Sequence, residues 1–328
     1  MRYSTAMKIA YIMKEEWEEA YIRERLPDDE VAFFAGTLQE HIAEVSADTE
    51  ALCVFVNSPV SAAEMERLPN LKLITTRSTG FDHIDNAEAA RRGIAVASVP
   101  GYGVPTVAEF GFALLLALSR KICEAHVRFN SGDYTQEGLT GFDLMGKTIG
   151  VVGSGRIGAH MARIAKGFGM TVLVHDIYQN AALAKEIGFE YVALPSLLAA
   201  SDIISLHAPY TKETHHLINA ESVKQIKKGA YLINTARGAL VETAALVEAL
   251  KTEVLAGAGL DVLEEEGDKA VLAQTLNDRY LTGHPRVIMT SHIAFDTTEA
   301  VRRILDTTVA NIKAFESGTP QNLVKADK

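Results

Sequence analysis

The sequence predicts an α/β protein built as two parallel-sheet modules, and three features predict it. Short β-rich apolar runs alternate with amphipathic helical stretches along nearly the whole chain, the pattern of strands joined by crossover helices. The alternation is interrupted by Val99-Pro100-Gly101, a breaker cluster suited to a domain crossing. The 328 residues, 48% hydrophobic and 23% charged, can fill two cores, since a domain takes roughly 150 residues and folds of that size need no disulfide or metal staple.

In the first module the apolar runs are Ile9-Ala10-Tyr11-Ile12, Val31-Ala32-Phe33-Phe34, Cys53-Val54-Phe55-Val56, Leu73-Ile74-Thr75-Thr76 and Ile94-Ala95-Val96, with helical stretches in the gaps. A helix then begins near Pro105, a residue favoured in a first turn. It continues through Leu114, Leu115, Leu118 and Ile122 and is expected to bridge the two modules. The second module opens with Thr148-Ile149-Gly150-Val151-Val152. It runs through Val172-Leu173-Val174, Ile203-Ile204-Ser205-Leu206, Tyr231-Leu232-Ile233 and Leu255-Ala256-Gly257 to Val287-Ile288-Met289. That makes about six strands, the number of a doubly wound dinucleotide-binding sheet. From Thr297 to Phe315, Val301, Ile304, Leu305, Val309, Ile312 and Phe315 recur at helical spacing, and this last helix is expected to pack back on the first module.

Composition narrows the function. Thirty-two Lys and Arg against 42 Asp and Glu give a formal charge of −10. No basic run can neutralise a row of phosphates, so no nucleic-acid partner is expected. The longest apolar stretch, Phe110 to Leu118, is far short of the roughly 20 residues that cross a bilayer, and no membrane partner is expected. Met7 to Met13 is too short for a signal-peptide core and is followed by Glu15, Glu16, Glu18 and Glu19. Cys53 and Cys123, the only cysteines, lie in apolar segments and read as small core side chains. A reducing cytoplasm is the expected location. With two distant cysteines, and with His160, His175, His215, His216 and His284 in no catalytic pattern, no metal-ligand spacing is present and no metal is expected.

The most specific signal is Gly153-Ser154-Gly155-Arg156-Ile157-Gly158, a G-x-G-x-x-G that directly follows an apolar run and opens a helix. Gly153 permits the tight turn, Gly155 lets backbone approach a pyrophosphate, and Gly158 allows close packing of helix on strand. The helix N-terminus offers its free N–H groups to the anion. Asp176, twenty-three residues after Gly153, ends the next predicted strand. There a carboxylate accepts the ribose hydroxyls of the adenosine half and repels a 2′-phosphate. No Arg or Lys follows in Ile177-Tyr178-Gln179. NAD is therefore expected in preference to NADP.

Six further blocks extend the pattern. Beside the glycine motif stand Ser78-Thr79-Gly80-Phe81-Asp82-His83-Ile84-Asp85, Val104-Pro105-Thr106-Val107-Ala108-Glu109, Leu206-His207-Ala208-Pro209-Tyr210-Thr211, Asn234-Thr235-Ala236-Arg237-Gly238, Gly259-Leu260-Asp261-Val262-Leu263-Glu264-Glu265-Glu266 and Ser291-His292-Ile293-Ala294-Phe295. From about Leu71 to Val324 the chain resembles the D-isomer-specific 2-hydroxyacid dehydrogenases, with the blocks in that family's order. The resemblance implies a flavodoxin-like substrate domain of residues 1–103 and 296–328 and a Rossmann NAD domain of residues 104–295. It also implies an active site in the cleft between them and a homodimer joined through the NAD domains.

Three residues are expected to carry the chemistry. Reduction of a 2-keto acid needs a proton for the developing alkoxide, and an imidazole, with an ordinary pKa of about 6.5, can supply it. His292, at a predicted strand end, is the expected general acid. A free imidazole is largely neutral at pH 7, so a carboxylate should hold the imidazolium; by resemblance that partner is Glu266, with Glu264 and Glu265 facing solvent or the turn. Arg237 follows Asn234-Thr235-Ala236 at the carboxyl edge of the sheet, where open α/β proteins bind ligands, and its planar fork suits a carboxylate plus the adjacent keto oxygen.

By resemblance, the backbone around Thr79 and Gly80 forms a second carboxylate cradle. Ala236 and Asp261 contact the nicotinamide end, His207 and Pro209 border the cofactor loop, and Thr106 lies near the pyrophosphate or nicotinamide ribose. Phe110 and Ser291 depart from a frequent His and Pro of the family, and neither removes a catalytic group. Tyr102 and Phe295 are expected to wall the substrate. Since the block holding Phe295 is similar to that of D-lactate dehydrogenases, pyruvate and D-lactate are the expected pair, with interdomain core as the other reading of Phe295. Glyoxylate or hydroxypyruvate reduction is the alternative within the class, and an NAD-sensing corepressor-like scaffold the alternative outside it.

Overall fold

The computed structural model describes residues 6–264 and 280–325. The chain divides into two compact units, Met1–Tyr102 with Thr297–Lys328, and Gly103–Asp296. In the first, strands β1 (Lys8–Met13), β2 (Glu30–Ala35), β3 (Ala51–Val54), β4 (Leu73–Thr76) and β5 (Ala95–Ala97) form one sheet in the order β2-β1-β3-β4-β5. Every pairing is parallel. The period-two alternation of strand side chains sorts each run onto two faces. Ala10, Ile12, Leu52 and Ile74 meet Leu38, Met65 and Ala89 from three short helices on one side. Ile9, Tyr11, Cys53 and Leu73 meet Ile22, Leu305, Val309 and Ile312 on the other.

The last three of those residues belong to the helix Thr298–Glu316, so the chain's closing helix packs on the first unit's sheet. It is tied there by Tyr21, whose hydroxyl donates to Asp306 Oδ1 at 2.7 Å, and by Asn311, whose side-chain amide donates to the Ser98 carbonyl at 2.9 Å. At the carboxyl end of β4, Arg77 is buried with Glu18. Its guanidinium donates to Glu18 Oε2 at 2.5 Å, to the Ile12 carbonyl at 2.7 Å and to the Tyr11 hydroxyl at 3.3 Å.

The second unit holds β6 (Thr148–Val152), β7 (Thr171–His175), β8 (Glu190–Tyr191), β9 (Ile203–Leu206), β10 (Ala230–Asn234), β11 (Leu255–Leu260) and β12 (Val287–Met289), in the order β12-β11-β10-β9-β6-β7-β8. All pairings are again parallel. This is the Rossmann order with one strand added beyond β11. Helices Val104–Ser119 and Arg156–Gly167 cover one face through Leu114, Leu115, Met161 and Ala165. Helices Leu194–Ala200 and Thr243–Lys251 cover the other through Leu197, Leu198, Leu246 and Leu250. Both units therefore have the α/β doubly wound architecture that the alternation predicted.

Three local expectations fail. β8 is a seventh strand, two residues long, too short to register as a periodic run. The helix expected from Pro105 through Ile122 ends at Ser119: Lys121 takes a left-handed conformation (φ +53°), and a separate helix, Ile122–Asn130, follows with no buried residue. Both helices lie within the second unit. Cys123, on the second of them, is consequently exposed, whereas Cys53 is buried as predicted.

The Arg77–Glu18 pair gives a stability test. Removing one partner of a buried pair leaves an uncompensated charge and costs about 3–5 kcal/mol, whereas an exposed pair such as Arg163–Glu186 is worth about 1 kcal/mol or less. Glu18→Ala should lower the denaturant midpoint sharply, and Glu186→Ala should leave it nearly unchanged. Equal shifts would contradict this ranking.

Candidate active site

The strand order reverses between β6 and β9, and open α/β folds bind ligands in the crevice at the carboxyl ends of the strands at such a switch point. Gly153 leaves β6 with φ +96°, and a Cβ on it would stand 2.7 Å from the His207 carbonyl carbon, so only glycine lets the β6 turn lie against the β9 turn. A Cβ on Gly158 would stand 1.9 Å from the Gly153 carbonyl oxygen, which fixes glycine where the helix meets the turn. At Gly155, the N-cap of Arg156–Gly167, a Cβ would meet nothing within 4 Å, and no side chain caps that helix. Arg156 is exposed and Ile157 half-buried at its start. The first-turn N–H groups are those an anion would take.

Asp176 follows β7 and is joined to the glycine turn. Its Oδ2 accepts from the Ser154 N–H at 2.6 Å and from Ser154 Oγ at 2.8 Å, and its Oδ1 accepts from the Tyr178 N–H at 2.8 Å. Burial works to raise its pKa, but the donors of Ser154 and Tyr178 outweigh it and hold the carboxyl below its ordinary range. His207, after β9, has its backbone N–H on the Val152 carbonyl at 2.7 Å and Nε2 2.9 Å from Ser205 Oγ. Burial pushes its pKa down to about 4, so it is neutral at neutral pH. Pro209 is exposed, its carbonyl accepting from Thr214 Oγ1 at 2.7 Å, and Thr106 is buried in the first turn of Val104–Ser119.

Past β10 the chain turns around Asn234. The buried Asn234 side chain accepts from the Ala236 N–H at 3.1 Å and donates to the Arg237 carbonyl at 2.9 Å. Arg237, half-buried, has extended backbone and donates from Nη1 to the Ala236 carbonyl at 2.8 Å. Thr235, overlooked by the sequence reading, is 8% exposed, and its hydroxyl has no hydrogen-bond partner among the described residues. A buried polar atom left so calls for a ligand or water. The uncapped helix, the open side of Gly155 and this hydroxyl all fit a bound dinucleotide.

Asp261 brings the pieces together. It is 1% exposed; its N–H donates to the Asn234 carbonyl at 2.9 Å, and its own carbonyl accepts from the His292 N–H at 2.8 Å. Oδ1 accepts from Thr290 Oγ1 at 2.5 Å and from the Ile293 N–H at 3.0 Å, while Oδ2 accepts from the Ala294 N–H at 2.8 Å. These bonds hold His292 at φ +54°, a left-handed conformation that histidine adopts more readily than most residues. Phe295 is buried, its ring centroid 6.4 Å from that of His292 with the planes at 76°. The sequence assigned Asp261 a cofactor contact and gave no hint that it builds the histidine turn.

Glu266 lies outside the described residues. Glu264 corrects an expectation, because it faces neither solvent nor an empty turn: it is hydrogen-bonded to His216 Nε2, and its Oε2 accepts from the Thr243 N–H at 3.0 Å and Oγ1 at 2.8 Å. Burial opposes ionisation, and the Thr243 and His216 donors overcome it, holding the carboxyl below its usual pKa. His216 thus has a partner that its position in the sequence did not reveal.

In the first unit, Thr79 Oγ1 donates to the Val99 carbonyl at 2.8 Å and Ser78 Oγ to the Gly80 carbonyl at 2.6 Å. The main-chain N–H groups of Thr79 and Gly80 make no hydrogen bond among the described residues. The Tyr102 carbonyl accepts from Arg303 Nε at 2.8 Å. Among the described residues no cluster of His, Cys, Asp and Glu could hold a metal, and no helix is long and apolar enough to cross a membrane.

A seven-stranded sheet of this order, with an acid after its second strand, is the dinucleotide domain of an NAD-dependent dehydrogenase. Residues 112–294 match the family model of the D-isomer specific 2-hydroxyacid dehydrogenase NAD-binding domain. The chain is 39% identical to the D-lactate dehydrogenase of Escherichia coli, over 97% of this chain and 100% of that protein. It is 41% identical to the glyoxylate reductase of Thermococcus litoralis, over 89% and 87%. Its fold is similar to that of the Aquifex aeolicus D-lactate dehydrogenase solved with NAD and lactic acid, with a TM-score of 0.86 and 34% identity over 98% and 100% of the two chains. The chain belongs to the D-isomer-specific 2-hydroxyacid dehydrogenase family, and its cofactor is NAD.

Asp261→Asn replaces an acceptor with an amide that faces backbone N–H groups. A buried donor left unsatisfied costs about 1–3 kcal/mol, and displacement of a reacting group by an ångström costs roughly a hundredfold in rate. The variant should lose stability of that order in urea unfolding and show a kcat roughly a hundredfold lower. A normal kcat would contradict the bracket.

Proposed function

We propose that the chain interconverts pyruvate and D-lactate, with His292 as the acid that protonates the substrate's C2 oxygen on reduction and takes that proton back on oxidation. The observation that carries this reading is the left-handed turn at His292, tied through Asp261 to Asn234, whose side chain shapes the turn into Arg237. Bound NADH supplies the hydride to C2. Arg237 has the fork that suits the substrate's carboxylate and keto oxygen, and Thr79 and Gly80 carry main-chain N–H groups of the kind that take a carboxylate. Glu266 is assigned as the carboxylate partner of His292 by the family pattern. On the cofactor side Gly153, Gly155, Arg156, Ile157 and Gly158 take the pyrophosphate and Asp176 the ribose, with Thr106, His207, Pro209, Ala236 and Asp261 toward the nicotinamide.

Pyruvate is favoured because the D-lactate dehydrogenases of E. coli and A. aeolicus match this chain almost end to end, and because an apolar ring, Phe295, stands against the proposed acid His292; Tyr102 is assigned with it to the substrate. Glyoxylate is the second reading, favoured by the identity with the T. litoralis glyoxylate reductase. A methyl group is worth only about 1–3 kcal/mol of discrimination, so the two substrates should differ by a modest factor. NADH oxidation with pyruvate, glyoxylate, hydroxypyruvate and phenylpyruvate tests the assignment. Pyruvate should give the highest kcat/KM and D-lactate as product, and His292→Ala should lose most of kcat while binding NADH normally. Tenfold better use of hydroxypyruvate would remove the lactate assignment.

The same reading includes a homodimer through the NAD domains. Ile122, Val127, Phe129, Tyr134 and Met145 are 54%, 66%, 63%, 71% and 78% exposed, and Phe129 and Tyr134 stack edge to face at 5.0 Å. Apolar side chains gathered this way mark an interaction surface. Sedimentation should give twice the chain mass, and Phe129→Asp should shift it toward monomer; a wild-type monomer at micromolar concentration would exclude the dimer.

A further inference from the structure

Asp176 terminates a directed chain of hydrogen bonds that reaches it from the edge of the sheet. The Asn180 N–H donates to the Tyr191 hydroxyl at 3.1 Å, Tyr191 donates to Ser154 Oγ at 3.0 Å, and Ser154 Oγ donates to Asp176 Oδ2 at 2.8 Å. The direction is set at both ends. An amide N–H can only donate and an ionised carboxylate can only accept, so each hydroxyl between them, having one proton, must pass its donation toward Asp176. Bonds in such a row polarise one another, and the last is strengthened by the full charge of its acceptor.

The acceptor count matters as well. A carboxylate has about four lone-pair positions; Ser154 fills both on Oδ2, and Tyr178 takes one on Oδ1. Tyr191 is itself fixed, paired in β8 with Val174 of β7 and set edge to face against Phe189 at 5.1 Å.

We propose that Tyr191 and Ser154 are positioning residues for cofactor choice. Through this chain they hold the Asp176 carboxylate in one orientation, so that its remaining acceptor position serves the adenosine ribose and its charge stands fixed against a 2′-phosphate. The inference rests on the reading that Asp176 meets the ribose. An unheld aspartate would swing away from a 2′-phosphate, and selectivity would fall by weaker NADH binding with NADPH binding unchanged or improved. General damage to the fold weakens both cofactors in step.

The test is fluorescence titration of NADH and NADPH against the wild type, Asp176→Ala, Ser154→Ala, Ser154→Thr and Tyr191→Phe, with kcat and KM measured alongside on pyruvate. Loss of a hydrogen bond to a charged group should raise the NADH Kd about tenfold in Ser154→Ala. Tyr191→Phe, which keeps the ring and removes only the hydroxyl, should raise it about threefold. The NADPH Kd should not rise in either, kcat should stay within about twofold, and Ser154→Thr, which retains the hydroxyl, should keep wild-type selectivity. An unchanged NADH Kd in both Ser154→Ala and Tyr191→Phe overturns the proposal, as does a parallel loss of both cofactors. If Asp176→Ala also leaves the NADH-to-NADPH ratio unchanged, the ribose reading itself fails; if Asp176→Ala collapses the ratio while the other two do not, only the positioning chain fails.

Discussion

A carboxylate buried among main-chain donors is the constraint on which the candidate site depends. Asp261 is almost wholly enclosed, and its carboxylate is met by two backbone N–H groups and one hydroxyl. Removing an ionised carboxylate from water is expensive unless its lone pairs are met. The chain from Thr290 to Ala294 satisfies that demand only by curling tightly around the side chain. The curl forces His292 into left-handed backbone, and the main chain of Asp261 reaches back to Asn234, which in turn shapes the approach to Arg237. One buried carboxyl side chain thereby fixes the relative placement of two turns that come from different strands.

This division of labour follows from the parallel sheet. All strands of the second unit run the same way, so their carboxyl ends lie along one edge, and β6, β7, β9, β10, β11 and β12 deliver in turn Gly153, Asp176, His207, Arg237, Asp261 and His292. Residues more than a hundred positions apart in sequence are thereby delivered to one edge of the sheet. Close approach of the β6 and β9 turns depends on the missing side chain at Gly153, and the helix after it depends on Gly158 in the same way.

Much of this was legible in the sequence because it depends on local chemistry. Apolar runs of three to five residues located eleven of the strands, and the glycine motif announced its turn because no other residue tolerates φ +96° at that distance from His207. What escaped depends on distance in space. β8 is a strand only because Tyr191 finds Val174, and two residues carry no periodicity. The break after Ser119 sits in Arg120-Lys121, a pair without glycine or proline to mark it. Glu264 and Glu265 looked equivalent as solvated acids, yet Glu264 is committed to His216 and Thr243, partners far away along the chain. Asp261 was recognised as a site residue and misread in role, since a side chain's type does not reveal which backbone will fold around it.

The taper of the two sheets bears on how the protein behaves at high concentration. An edge strand exposes unpaired main-chain groups that can template addition of another chain. In the second unit the outermost strands are only two and three residues long, and in the first unit β5 is three residues long and bridged by Leu323 from the C-terminal segment. Three of the four sheet margins are thus blunt. The fourth is β2, Glu30–Ala35, six residues carrying Phe33 and Phe34 with Arg23 over the Phe33 ring at 4.7 Å. Colloidal stability of the folded protein is accordingly concentrated in one strand, where a charge or proline would close the last long margin open to fibrillar growth.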